Sequence, residues 1–232
     1  METGEKLVVK QIPINEMNDE ERKQAHQECE LLRSLHHPSV VQYTESFVED
    51  DVLHIVMQYC GCGDLATLIK RTAKEGTFLQ EGQILDWFLQ LAFGVAYIHS
   101  RRILHRDLKT SNVFITTQNT VKLGDFGIAR VLDSTLEQAK TVVGTPYYMS
   151  PEVCENKPYR FKSDLWALGC ILYEMCTLKH AFDATNLLGL VFKIVQDKAP
   201  PIPDRYSPEL RDLVSRMLAK DPDERIDIEQ IF

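Results

Sequence analysis

Apolar positions near the N-terminus form short strand-like runs, and those further along fall mainly into helical spacing. Residues 7–12, LVVKQI, read as a strand with Lys10 inside it, and Thr3-Gly4-Glu5-Lys6 before it resembles a hairpin turn. Asn18 followed by Glu21 is a helix-start signature. Ala25, Cys29, Leu32 and Leu35 or His36 then recur at helical spacing. Glu28 shares that apolar face, while Glu30 faces water. Residues 40–47 and 52–57 are two more strand-like runs, parted by Glu49-Asp50-Asp51. Tyr59-Cys60-Gly61-Cys62-Gly63-Asp64-Leu65 is a connector, and the sequence beyond it is mostly helical. Residues 83–100 place Ile84, Phe88, Leu91, Val95 and Ile98 on one face of an amphipathic helix. Val113-Phe114-Ile115 and Val121-Lys122-Leu123 flank a polar loop and predict a hairpin. Residues 161–177 are apolar nearly all round, which predicts a fully buried helix with Asp164 near its start. Ser207-Pro208-Glu209 opens another helix with proline in its first turn, and a short helix follows Asp221-Pro222-Asp223-Glu224-Arg225. The order is that of an α+β chain, with a small antiparallel sheet followed by a larger helical part.

Composition narrows the function classes. The chain has 232 residues, 44% of them hydrophobic, enough for one large core or two adjoining ones. A net charge of −8 and a pI near 5.4 argue against nucleic acid or an anionic membrane as the main partner. The six cysteines show no CxxC pair, and no second ligand pair follows the CxC of Cys60 and Cys62, so reduced thiols in a cytoplasmic protein are expected. The start METGEKLVVK is charged at once and lacks a secretory pattern. The longest apolar stretch, 165–176, contains Glu174 and is too short to span a bilayer.

The candidate chemistry lies in 103–127, ILHRDLKTSNVFITTQNTVKLGDFG. Folding its hairpin is expected to bring Asn112 beside Asp125, with Asp107 and Lys109 at the same end. Two carboxylates, an amide and an ammonium in one small volume suit phosphoryl transfer. Asp125 and Asn112 can give oxygen ligands to magnesium. Lys109 can neutralise charge on the moving group, and Asp107 can accept a proton from an attacking hydroxyl. A second candidate pair is Lys10 with Glu28, since an inward carboxylate needs a partner. On local pattern alone, a solvated glutamate and a snorkelling lysine fit those two positions equally well.

HRDLKTSNVF, LGDFGIARVL, TVVGTPYYMSPE and KSDLWALGCILYEMCTLKHAF together resemble the NIMA-related serine/threonine protein kinases, over nearly the whole chain. The resemblance implies a bilobal kinase-like fold, with 1–57 as a partial N-lobe, 58–64 as hinge and 65–232 as C-lobe. It favours the Lys10–Glu28 ion pair and implies ATP and magnesium as cofactors. Met57 is then the gatekeeper, and Gln58 to Cys60 the hinge that meets adenine. Val8 and Phe114 sandwich the ring, and Asp64 approaches the ribose. Leu32, Tyr43, His105 and Phe126 stack as a spine anchored by Asp164, and Glu152 pairs with Arg225. Lys109 and GTPYYMSPE point to protein substrates with serine or threonine acceptors. Thr141 occupies the place of an activating phosphothreonine, with Arg106 and Arg130 as its expected partners. The family also points to centrosome, cilium or microtubule work in the cell cycle.

The chain departs from the family pattern in one respect that bears on activity. No GxGxxG precedes the lysine strand, so the sequence reads as beginning one hairpin late. A catalytically impaired scaffold or dominant-negative form is therefore the second reading. SPE in place of APE, and Ile226 where proline often follows the arginine, are minor.

Overall fold

The computed structural model describes residue 4, residues 6–124 and residues 146–232, the side chains of Gln24 and Glu28 excepted. Its first element, β1 (Leu7–Pro13), pairs antiparallel with β3 (Val52–Gln58), whose other edge takes β2 (Tyr43–Glu49). The strand expected over 40–47 starts later, at Tyr43. Val40 instead forms a parallel bridge to Leu123, and the Ser39 carbonyl and Val41 amide bond Leu123 from either side at 2.8 Å.

Between β1 and β2 lies α1 (Asp19–Ser34). Asn18 and Glu21 close a reciprocal capping box, each side chain bonding the other's backbone amide, as their spacing predicts. The helix buries Ala25, Cys29 and Leu32 beneath the sheet, joined by Leu35 just past its end. His36, the alternative to Leu35, is exposed.

The helical part contains α2 (Leu65–Lys74), α3 (Glu81–Ser100), α4 (Pro151–Cys154), α5 (Phe161–Thr177), α6 (Leu187–Gln196) and α7 (Pro208–Met217). A small hairpin of β4 (Val113–Ile115) and β5 (Val121–Leu123) packs against it. On α3, the predicted face of Ile84, Phe88, Leu91, Val95 and Ile98 is wholly buried. Its last turn leaves the large core: Ile98 belongs to the upper cluster with Leu35, Tyr43 and Leu53, and Tyr97 packs against that cluster. The Tyr97 hydroxyl also accepts from the His36 amide at 2.8 Å, so α3 reaches into the sheet portion.

Helix α5 is buried around nearly its whole circumference, as its unbroken apolar sequence requires. A buried charge pair sits beside it. Arg225 donates to both oxygens of Glu152 at 3.0 Å, and its remaining donors meet the carbonyls of Ala219, Lys162 and Lys220. Burial alone would raise the Glu152 pKa, but the Arg225 guanidinium and the Ser163 hydroxyl hold it below its ordinary 4.5. The depressed value places the pair's stabilisation above that ordinary pH, and it is lost as pH falls through the folded-state value. Arg225→Met should cost about 3–5 kcal/mol, because it strands a buried carboxylate. Arg225→Lys should recover little, since one ammonium cannot replace the five-donor fork. Urea denaturation at neutral pH and again below pH 4 checks both statements; the gap between wild type and Arg225→Met should narrow in acid.

Candidate active site

The hairpin pairs Val113 with Leu123, Phe114 with Lys122 and Ile115 with Val121. This register sets Gly124 opposite Asn112, and the Gly124 amide donates to the Asn112 carbonyl at 2.9 Å. Gly124 comes directly after the second strand and so takes the place opposite Asn112, and the expected neighbour Asp125 is the next residue in sequence. Asp125 lies outside the described residues, as do Phe126, Arg130 and Thr141, and so does the side chain of Glu28. A Cβ on Gly124 would stand 2.6 Å from the Phe114 ring, which explains glycine at that position.

Asp107, Lys109 and Asn112 do converge. Lys109 Nζ and Asn112 Nδ2 each lie 2.8 Å from Asp107 Oδ2, and Asn112 Nδ2 also bonds the Asp107 carbonyl at 2.8 Å. Both side-chain contacts fall on one carboxylate oxygen and leave Oδ1 outside the grip. With its NH₂ turned to Asp107, Asn112 keeps its amide oxygen as an acceptor. A short 3₁₀ turn over Thr110–Asn112 carries the chain from Lys109 into β4.

Beneath this loop lies Asp164 of α5, fully buried. Its carboxylate accepts from the backbone amides of His105 (3.0 Å) and Arg106 (3.1 Å), from His99 Nε2 (2.8 Å) and from the Tyr159 hydroxyl (2.5 Å). Burial pushes its pKa up, but these donors outweigh burial and leave it below the usual carboxylate value. Arg106 sits at φ 64, a left-handed conformation unusual for arginine, and its amide is one of the two that Asp164 holds. Burial drives the His105 pKa down, against the pull of Asp164 and Asp107. Its Nδ1 accepts from the Asp107 amide at 3.4 Å, which fits a neutral ring. Leu32, Tyr43 and His105, three of the expected spine residues, are all buried.

A cavity of about 410 Å³ opens between the sheet and the hairpin. Val8, Lys10, Val41, Met57, Gln58, Cys60, Asp64, Phe114 and Gly124 are among its lining residues, so the expected nucleotide-contacting positions are gathered in one place. Its size and apolar walls suit a nucleotide base, and Gly124 joins it to Asn112. The Asn112 amide oxygen beside a carboxylate is the donor chemistry a hard divalent cation takes. Asp64 also caps α2, where its two oxygens accept from the Thr67 amide and hydroxyl, both at 2.8 Å.

Two residues of the site lie outside any of the sequence motifs. His99 and Tyr159 reach Asp164 from α3 and from the segment before α5, and nothing in their sequence surroundings marks them. Thr110, Tyr148 and Glu174 bond one another. Here one signal exists, because a glutamate inside an otherwise apolar buried helix must find donors.

The family profile described as protein kinase domain matches residues 1–232. The serine/threonine-protein kinase Nek1 of Mus musculus is 52% identical over 231 residues, covering 100% of this chain and 19% of that protein. Nek4 of Mus musculus is 48% identical over 230 residues, covering 99% of the chain and 29% of that protein. Nek5 of Homo sapiens is 47% identical over 226 residues, covering 97% and 32%. The chain thus spans less than a third of each of these relatives.

The capping geometry yields a direct test. Asp64→Ala should lower stability by about 1 kcal/mol, and Asp64→Asn should retain most of it, because asparagine caps as well as aspartate. Thermal melts of the three proteins measure this; equal melting of wild type and Asp64→Ala would remove the cap from the account.

Proposed function

The chain belongs to the protein kinase family, and from that premise we propose that it transfers the γ-phosphoryl group of ATP to serine and threonine hydroxyls of proteins. The observation that carries this reading is the Asp107 carboxylate gripped at 2.8 Å by Lys109 and Asn112, next to an apolar-walled cavity. ATP bound with magnesium would supply the phosphoryl group, with ADP as the leaving group. Val8, Met57 and Phe114 offer the base an apolar surface, and the backbone of Gln58 to Cys60 offers polar partners. Lys10 would neutralise phosphate charge, with Glu28 as its proposed partner, and Asn112 and Asp125 would give oxygens to the metal. Asp107 takes the proton of the acceptor hydroxyl on Oδ1, the oxygen outside the grip. Lys109 sets positive charge where negative charge builds up.

Regulation belongs to the same reading. Arg106 is exposed and adjoins Asp107 in sequence, and together with Arg130 it would supply the positive charge for a phosphate on Thr141. Cytoplasmic work at centrosome, cilium or microtubules is part of the proposal by kinship with the NIMA-related group. Protein substrates are its partners.

Asp107→Asn should reduce transfer to a generic protein substrate about 10²- to 10⁴-fold while ATP binding stays near wild type. A variant that keeps most of the parent rate would remove Asp107 from the chemistry. Phosphorylation of Thr141 should raise activity, and Thr141→Ala should abolish that rise. Rates before and after phosphatase treatment, with mass spectrometry at Thr141, decide it; unchanged rates on loss of phosphate would rule the switch out.

A further inference from the structure

Glu174 is a carboxylate on a helix that is otherwise apolar and buried, and it is itself 5% exposed. Its partners come from three separate stretches. The Tyr148 hydroxyl donates to Oε2 at 2.5 Å, the Thr110 hydroxyl lies 3.2 Å from Oε1, and His180 Nδ1 lies 3.4 Å from Oε2. Thr110 Oγ1 is also 2.8 Å from the Tyr148 hydroxyl, which closes a triangle of oxygens. The protons can be assigned without conflict. Tyr148 gives its proton to Glu174, and Thr110 gives its own to Glu174 or to the Tyr148 oxygen. Burial, and then the neighbouring carboxylate, push the Tyr148 pKa well up, so the phenol keeps the proton this pattern needs.

The triangle joins two parts of the site that are distant in sequence. Tyr148 lies in residues 146–150, which lead into α4, and its neighbour Tyr147 stacks on His180 at 3.9 Å. Thr110 is 2% exposed and stands between Lys109 and Asn112, the two residues that grip Asp107. A shift of the Tyr147–Tyr148 segment therefore reaches the turn through the Tyr148 hydroxyl, which lies 2.8 Å from the Thr110 hydroxyl and, more weakly, accepts from the Thr110 amide at 3.5 Å.

We infer that Thr110 is a positioning residue: its hydroxyl, tied to Tyr148 and Glu174, sets the spacing between the Tyr147–Tyr148 segment, which would support the substrate peptide, and the Asp107 carboxylate that receives the peptide's proton. This rests on the proposed protein-phosphorylating function. The arrangement acts on the peptide acceptor and not on the nucleotide, because none of Thr110, Tyr148 and Glu174 lines the cavity between sheet and hairpin.

The test uses the 232-residue chain with magnesium-ATP and a generic protein substrate. Thr110→Val removes the hydroxyl and keeps the branched shape, Thr110→Ser restores the hydroxyl, and Tyr148→Phe removes the opposite corner of the triangle. Thr110→Val should lower kcat/KM for the protein substrate about tenfold, the scale of one buried hydrogen bond. KM for ATP and the slow hydrolysis of ATP by water should stay at wild-type values. Thr110→Ser should return at least half of the loss. Tyr148→Phe should lose a similar factor, and the double variant less than the product of the two, because both break one network. If Thr110→Val does not fold, Tyr148→Phe with the same readouts carries the decision. Wild-type kinetics in Thr110→Val, or an equal fall in ATP hydrolysis and protein phosphorylation, would overturn the positioning role. A wild-type chain that binds ATP yet phosphorylates no protein would overturn the proposed function, and this inference with it.

Discussion

The structure depends on a single buried carboxylate. Asp164 sits in the helical core, where an unpaired charge would cost several kcal/mol, and four donors compensate it. Two of those donors are backbone amides of the loop that carries Asp107. The interaction is therefore more than a stabilising contact. It fixes the backbone immediately before Asp107, and it supports the left-handed turn at Arg106. His99 and Tyr159 complete the shell from two other stretches.

A second constraint joins the sheet to the hairpin. The backbone between α1 and β2 pairs with Leu123 through Ser39 and Val41, and Lys122 Nζ bonds the Pro38 carbonyl at 2.7 Å. Val41, on this junction, lines the same cavity as Val8 and Phe114. The roof and floor of the cavity are thus tied by main-chain hydrogen bonds at one end. Tyr97, accepting from the His36 amide, makes a separate tie from α3.

Periodicity reveals most of the elements because burial enforces it. The α3 face and the all-round apolar α5 are legible for that reason, and the Asn18–Glu21 box is legible from its three-residue spacing. Asp107, Lys109 and Asn112 are legible because they lie close together in sequence, so local geometry converges them. Strand limits set which residue stands opposite Asn112, and Gly124, directly after β5, takes that place. The late start of β2 has a similar cause: Val40 satisfies its apolar character against Leu123, outside the sheet. His99 and Tyr159 are not legible, because their partners are held by the fold and their own surroundings are ordinary; Thr110 lies within HRDLKTSN, but only the fold brings Tyr148 and Glu174 to it. Asp64 is expected from family resemblance near a ribose, and the geometry adds a capping role that the resemblance does not announce.

Helix α5 emerges as the ruler for the loop that carries Asp107. Asp164 near its start holds His105 and Arg106, and Glu174 near its end holds Thr110. Ten helical steps lead from one carboxylate to the other, about 15 Å along the axis at 1.5 Å each. The loop is thus held at two buried anchors on one helix, with Asp107 between them in sequence. An apolar helix could fill the same space, but it would not fix the loop's position along its length. The two carboxylates supply that, and each is tolerated only because the groups it positions are also the donors that neutralise its burial.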